Sequence, residues 1–401
     1  MTGPAAQLRV TGVAVGGDGV AREETGRVVF VEGALPGEAV IPRIVAERRS
    51  HARAVVDRVT EPVAGRVPPP CPFVAAGCGG CGWQHVAPTA QRDLKLRMVA
   101  DALVRLGGVA DPPVRAGPPL PGAGYRTTLR GVAGPDGRFS LRRRRSHALV
   151  AVPGCLVAHP LVAEVLAAGR FPAGATVTVR ASAATGARLV VVDAPAGGDA
   201  AAVPPGVRVV TGADLAAGRR AWLYEEVAGV RLRVSARAFF QPGPGAAEAL
   251  VAAVAAAAGE VAAGTRFVDL YGGVGLFAAT VGRHARVDLV EASAPAIADA
   301  RVNLRGRPAR VVRSDVARWR PRGADVVVAD PPRAGLGAGG ARAVAATGAT
   351  RVVLVSCDAG SLGRDVGLLV RTGYQLVSAT VVDAFPHTPH VEVVSGLVRA
   401  G

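Results

Sequence analysis

The sequence predicts an α/β protein whose C-terminal part is a doubly wound, largely parallel sheet, preceded by an N-terminal β-barrel and a central β-rich region. Three observations predict it. Past Phe239, strand-like and helix-like segments alternate. Before residue 62, short Val-rich runs alternate with Gly turns. Between these stretches lies a compact cysteine cluster, followed by a second series of short strands. Alternating strand and helix is the pattern of a parallel sheet covered on both faces. Short strands divided by tight turns are the pattern of a small barrel.

The barrel is read from about Gln7 to Thr60, in runs such as Leu8-Arg9-Val10, Gly26–Phe30 and Glu38–Ile41. This divides the chain into 1–62 (barrel), 63–235 (cysteine cluster and central β-rich region) and 236–401 (α/β domain). Val67-Pro68-Pro69-Pro70 is a spacer, and Cys71 to Cys81 follow at once. Leu94, Met98, Ala102 and Leu106 step by four, which predicts a helix over Gln91–Leu106. Five prolines between Pro112 and Pro121 stop it. Tyr125–Val234 reads as short strands, with loops at Ala194–Ala200 and Pro204–Gly206. A helix over Ala246–Ala257 then precedes the strand Arg266–Leu270. Further strands are expected at Val287–Glu291, Arg310–Arg313, Val326–Ala329 and Arg351–Ser356, and helices at Pro295–Leu304 and Gly363–Arg371.

The chain of 401 residues is half apolar, enough for a sizeable core, but only 4% aromatic. Lys and Arg total 47, and Lys95 is the one lysine. That bias reads as genome composition and carries no functional weight. The formal net charge is +16, and a protein this basic fits a polyanionic partner, nucleic acid first. Met1–Gly17 lacks a basic stretch followed by an apolar run, so no signal peptide is expected. The apolar stretch Ala249–Gly259 is far short of a membrane span. The expectation is a cytoplasmic, monomeric protein with no membrane contact, whose reduced cysteines serve metals or catalysis.

Phe267–Phe277 reads as a strand, a Gly-rich turn through Gly272, Gly273 and Gly275, and a helix start. Such a turn lets backbone pass beneath a ligand at the carboxyl end of the strand. Glu291 ends the next strand about 20 residues on, where a carboxylate accepts from ribose hydroxyls. The loop alone fits NAD, FAD or S-adenosylmethionine. Asp269, just before the turn, would repel a pyrophosphate and suits a cofactor bearing an amino group and a sulfonium. Asp315 ends a third strand; it could reach an adenine amino group or cap a helix.

Three later segments end predicted strands and can converge on one crevice: Ala329-Asp330-Pro331-Pro332-Arg333, Ser356-Cys357-Asp358, and Asp383–Glu392. Their chemistry matches methylation at carbon 5 of a pyrimidine. That carbon is a poor nucleophile until a thiolate adds at carbon 6. It then attacks a methyl sulfonium, a base removes the carbon-5 proton, and elimination expels the thiolate. The scheme needs one Cys, one base and a methyl donor; Cys357 and Glu392 supply the first two. His387 and His390 make too small a set for a metal and are expected to orient the loop or the substrate. If Cys357 is catalytic, Cys71, Cys78, Cys81 and Cys155 remain, a full set for zinc or a 4Fe-4S cluster. The C-x3-C-x2-C pattern of radical S-adenosylmethionine enzymes is absent.

Taken together, these blocks resemble the RNA uracil-5 methyltransferases, in order and residue type over almost the whole chain. The resemblance implies an OB-like barrel of the TRAM type that binds RNA, and a Rossmann-like methyltransferase domain. It implies that Cys71, Cys78, Cys81 and Cys155 ligate a 4Fe-4S cluster, as in the cluster-bearing branch. It implies S-adenosylmethionine contacts at Gln241, Tyr271, Glu291 and Asp330, with Cys357 as nucleophile and Glu392 as base. It also implies that the Gln91–Leu106 helix packs on the catalytic domain. Three positions depart from the pattern: the Cys71–Cys78 spacing is one residue longer, and Gly243 and Asp358 replace the usual Asn. A carboxylate beside Cys357 is expected to raise its thiol pKa.

The implied substrate is ribosomal RNA, 23S above all, with transfer RNA as the alternative. A non-catalytic RNA-binding or assembly factor would keep the charge and the barrel but need neither Cys357 nor Glu392. Cytosine-5 methylation is disfavoured because Arg333, not Cys, follows the paired prolines. The Arg142–Arg145 run is expected either to contact phosphates or to be a solvated strand face.

Overall fold

The computed structural model describes residues 7–194 and 201–400. Most of the loop expected at Ala194–Ala200 lies outside them. Five strands, β1 (Leu8–Val13), β2 (Gly19–Arg22), β3 (Val28–Glu32), β4 (Ala39–Glu47) and β5 (His51–Glu61), close a barrel in the order β1-β2-β3-β5-β4. Alternation places Leu8, Val10, Val29, Val31, Ala52 and Ala54 inside it.

Helix α1 (Pro88–Arg105) begins three residues before the periodic stretch. Pro88 opens it, a position where the missing N–H costs nothing. The short strand β6 is Val114–Ala116. The central region contributes β7 (Thr128–Ala133), β8 (Phe139–Arg142), β9 (Leu149–Ala151), α2 (Pro160–Ala168), β10 (Thr176–Ala181), β11 (Arg188–Asp193), β12 (Val207–Thr211) and α3 (Gly212–Ala216). Its six strands form one sheet in the order β12-β11-β10-β7-β8-β9. A hairpin, β13 (Trp222–Val227) and β14 (Val230–Ser235), follows.

The remaining elements are α4 (Pro244–Ala258), β15 (Arg266–Leu270), α5 (Leu276–Ala279), β16 (Arg286–Glu291), α6 (Ala294–Asn303), β17 (Ala309–Arg313), β18 (Val326–Ala329), α7 (Gly337–Ala346), β19 (Arg351–Ser356), α8 (Ala359–Arg371), β20 (Tyr374–Val382) and β21 (Glu392–Arg399). The sheet order is β17-β16-β15-β18-β19-β21-β20-β6. All neighbours are parallel except β21, which runs antiparallel to β19 and β20. The order reverses between β15 and β18, so the crevice at their carboxyl ends is the switch point where ligands bind in such sheets.

The sheet borrows from the early chain. β6 pairs with β20, and α1 lies along α8. Gly363 permits that approach, because a Cβ there would strike the Ala102 carbonyl. Val99, Ala102 and Leu103 of α1 thereby join the core formed by β18, β19 and α8. Among the described residues no helix is long and apolar enough to cross a membrane.

Candidate active site

The carboxyl edge of the parallel strands gathers Tyr271 after β15, Glu291 at the end of β16, Asp330 after β18 and Cys357 after β19. The reversed direction of β21 adds its first residue, Glu392, to the same edge. Ser356 pairs with Val393, so the next residues outward, Cys357 and Glu392, stand opposite one another. Cys357 is half-buried and Glu392 is buried.

This edge is crowded with carboxyl groups. Burial, then the neighbouring Asp330, hold Glu392 well above the usual carboxyl range, with Arg333 opposing. Burial also raises Asp330. The Cys357 thiol is pushed up to about 11, first by burial and then by Glu392 and Asp330, while Arg333 pulls it down. Asp358 plays no part in that shift. Its carboxylate turns away to cap α8, accepting from the Ser361 N–H at 2.8 Å, so the expected penalty from this neighbour is replaced by one from Glu392 and Asp330.

A cleft that shares Asp330 with the surroundings of Cys357 is lined by Phe239, Gln241, Tyr271, Gly272, Gly273 and Asp330. Its floor needs glycine: a Cβ on Gly272 would meet Leu289 Cγ at 2.7 Å. The buried Oε1 of Gln241 has no hydrogen-bond partner, an acceptor aimed at a donor the protein does not supply. Phe239 is 72% exposed at the mouth. Gly243, where Asn is usual, stands against the Tyr125 carbonyl, which a Cβ would approach to 2.7 Å.

The other candidate cofactor residues divide. Glu291 accepts from the backbone N–H groups of Gly273 (3.0 Å) and Ser293 (2.6 Å), and so also shapes the Gly-rich turn. Asp269 is wholly buried beneath that turn and accepts from Ala278 N–H at 2.9 Å. Its other oxygen has no partner, and burial raises its carboxyl to about 8. Asp315 is exposed and caps the following turn through Ala317 N–H at 2.8 Å, the second of its two expected roles.

Cys71, Cys78, Cys81 and Cys155 line one pocket between the cysteine loop and the central sheet. All are free thiols. Among the described residues no three His, Cys, Asp or Glu side chains stand close enough to hold a single metal ion. Burial lifts the Cys81 thiol to about 11, and the other three cysteines add to it. Arg126 lines the same pocket with a buried Nε that has no partner.

A further groove of about 460 Å³ lies against β7, β8 and the start of β10, with Arg130, Arg142, Ser140 and Thr176 along it. The Arg142–Arg145 run splits there. Arg142 faces the groove and contacts His147 Nδ1 at 2.6 Å. Arg144 and Arg145 turn to the barrel, where both pair with Glu32 and Asp18.

Sequence reasoning missed several residues around the edge. The charge of Arg333 acts on both Cys357 and Glu392, and its guanidinium approaches His390 Nε2 at 3.4 Å. Trp83, Gln91 and Lys95 hold the loop before β21. For Lys95 the signal was visible, as a lone lysine on the apolar face of a predicted helix.

No family model matches the chain. Over 438 aligned residues it is 35% identical to an uncharacterised RNA methyltransferase of Streptomyces coelicolor, spanning 100% of this chain and 94% of that one. It is 32% identical to the 23S rRNA (uracil(1939)-C(5))-methyltransferase RlmD of Alkalilimnicola ehrlichii, over 96% of this chain and 95% of the relative. The fold is shared with the crystal structure of the Pyrococcus abyssi tRNA (uracil-54, C5)-methyltransferase in complex with S-adenosyl-L-homocysteine. There the TM-score is 0.73 at 20% identity, covering 98% of this chain and 100% of that one.

Proposed function

Because the chain belongs to the RNA methyltransferases, we propose that it methylates carbon 5 of one uridine in 23S ribosomal RNA through a covalent Cys357 adduct. The observation that carries this reading is the Cys357–Glu392 pair on a strand edge whose Asp330 also lines the neighbouring cleft.

S-adenosylmethionine, when bound, supplies an electrophilic methyl group. The cleft suits it: Gln241 offers an unpaired acceptor, Glu291 lies at the ribose position of the second strand, and Asp330 and Glu392 favour a cation. Cys357 adds through Sγ to carbon 6 of the uracil, carbon 5 takes the methyl group, Glu392 accepts the carbon-5 proton, and elimination returns the thiolate. A cation entering the cleft also favours the ionised forms of Glu392 and Cys357 that these steps require. Phe239 presents an exposed ring face on which a displaced base can stack.

Cys71, Cys78, Cys81 and Cys155 are the proposed ligands of a 4Fe-4S cluster. Around a single zinc ion, four thiolates at about 2.3 Å from the metal stand within about 4 Å of one another. A cluster interposes iron and sulfide and spreads them wider, which fits four cysteines around one pocket without a compact trio. Arg126, whose buried Nε has no partner, suits the negative charge of a thiolate-ligated cluster. RNA binding draws on the +16 charge, the barrel, and the groove with Arg130 and Arg142.

The test is mass mapping of RNA from a strain lacking this gene. A single methyl missing from a 23S uridine is expected. Loss from transfer RNA instead would reassign the substrate, and an unchanged map would leave only RNA binding.

A further inference from the structure

Lys95 stands alone among 47 Lys and Arg residues, and it is wholly buried. Its Nζ donates to Asp383 Oδ1 at 2.5 Å and to the Phe385 carbonyl at 2.9 Å. One turn earlier on α1, the buried Gln91 Oε1 accepts from His387 N–H at 2.6 Å. Gln91 Nε2 donates to the Val86 and Trp83 carbonyls at 2.8 and 3.2 Å and meets His387 Nδ1 at 3.3 Å. Trp83 N–H donates to the His387 carbonyl at 2.8 Å, and its indole N–H to the Gly17 carbonyl of the barrel at 3.0 Å.

These contacts converge on the segment 383–390, which leads directly into Glu392. The segment is not relaxed: His387 has φ 65°, a left-handed backbone that persists in a non-glycine residue only when its surroundings over-determine it. Most of these fixing groups come from residues 83–95, nearly 300 positions away in sequence; Tyr125 adds a hydrogen bond from its hydroxyl to the Pro386 carbonyl at 3.3 Å, and Arg333 approaches His390. We propose that Trp83, Gln91 and Lys95 are positioning residues, a clamp that holds this loop so that Glu392 meets the carbon-5 proton. The proposal rests on the uridine-methylation reading for its chemistry but not for its geometry.

Lysine is specified because the enclosed site presents two acceptors to a compact ammonium. Arginine would bring a longer, planar group with five donors to satisfy. In a chain that uses Arg at every other basic position, the exception falls where Arg does not fit.

The test compares Lys95→Arg, Lys95→Met and Gln91→Met with the wild-type full-length protein. In each variant kcat should fall about 10- to 100-fold, the cost of a small misplacement of a reacting group, while KM for the cofactor stays within about twofold. Amide exchange should accelerate over 383–390 and remain slow in β15 and β18. Adduct formation with 5-fluorouridine RNA should persist, because trapping halts before proton abstraction. Wild-type kcat and loop exchange in Lys95→Arg and Gln91→Met would overturn the clamp. So would a uniform loss of protection across the C-terminal sheet, which would make these residues general stabilisers. If the wild-type enzyme methylates no uridine, the functional reading fails, and exchange over 383–390 still decides the clamp.

Discussion

Cys357 and Glu392 end adjacent antiparallel strands, one step beyond the Ser356–Val393 pair, and Glu392 helps keep the Cys357 thiol protonated. The thiol lies at about 11, raised by burial and then by Glu392 and Asp330. In the ligand-free protein its alkylation by iodoacetamide, followed against pH, should therefore still be rising well above the value of about 8.5 for a free cysteine. Glu392→Gln removes a negative neighbour and should lower the midpoint. Arg333→Gln removes the opposing cation and should raise it. A wild-type midpoint below about 8 would contradict this electrostatic picture.

Asp269 gives stability a pH dependence of defined sign. Its carboxyl rises from 3.8 to about 8 in the folded protein, so between these values the native state binds more protons than the unfolded one. Its contribution is complete below about 4 and is lost as pH rises toward about 8. Urea midpoints of the ligand-free protein should fall over that window. Asp269→Asn, which keeps an oxygen for the Ala278 N–H, should flatten the fall; an unchanged slope would refute the assignment.

The arginine run predicts a division of labour. Arg142→Ala should weaken RNA binding and reduce the slope of log affinity against log salt by about 1. Arg144→Ala breaks pairs to Glu32 and Asp18 that are only partly shielded. It should cost at most about 1 kcal/mol per pair and leave the salt slope unchanged. Equal salt effects in the two variants would show that both arginines face RNA.

The cysteine pocket predicts a brown protein on anaerobic purification, with broad absorbance near about 400 nm from iron–thiolate bonds. Cys81→Ser should bleach it. A colourless protein with stoichiometric zinc would refute the cluster and leave the methyl-transfer proposal intact.

Much of the site was legible because its residues end strands. β15, β18 and β19 have the bounds that their apolar runs predict, and the residues just beyond them form the edge. Less legible were features made by distant segments. β6 is three residues among prolines, too short for alternation to register, yet it extends the C-terminal sheet. Gln91 read only as a helix position, and Lys95 as a lone lysine with no visible partner, because their partners lie nearly 300 residues on. Asp315 shows the opposite difficulty. An Asp after a strand serves a ligand or caps a helix with the same sequence signature; the cap of Asp315 is formed through one oxygen. For Asp358 the sequence showed a charge beside Cys357 but not the cap that turns it away.

Covalent trapping tests the central claim most directly. Incubation with 5-fluorouridine-substituted target RNA and S-adenosylmethionine should leave a denaturation-resistant protein–RNA adduct, with the peptide containing Cys357 cross-linked. Cys357→Ala should form none, whereas Glu392→Gln should accumulate adduct even on natural RNA. An adduct of undiminished yield in Cys357→Ala, or methylation of uridine that continues without Cys357, would contradict the mechanism.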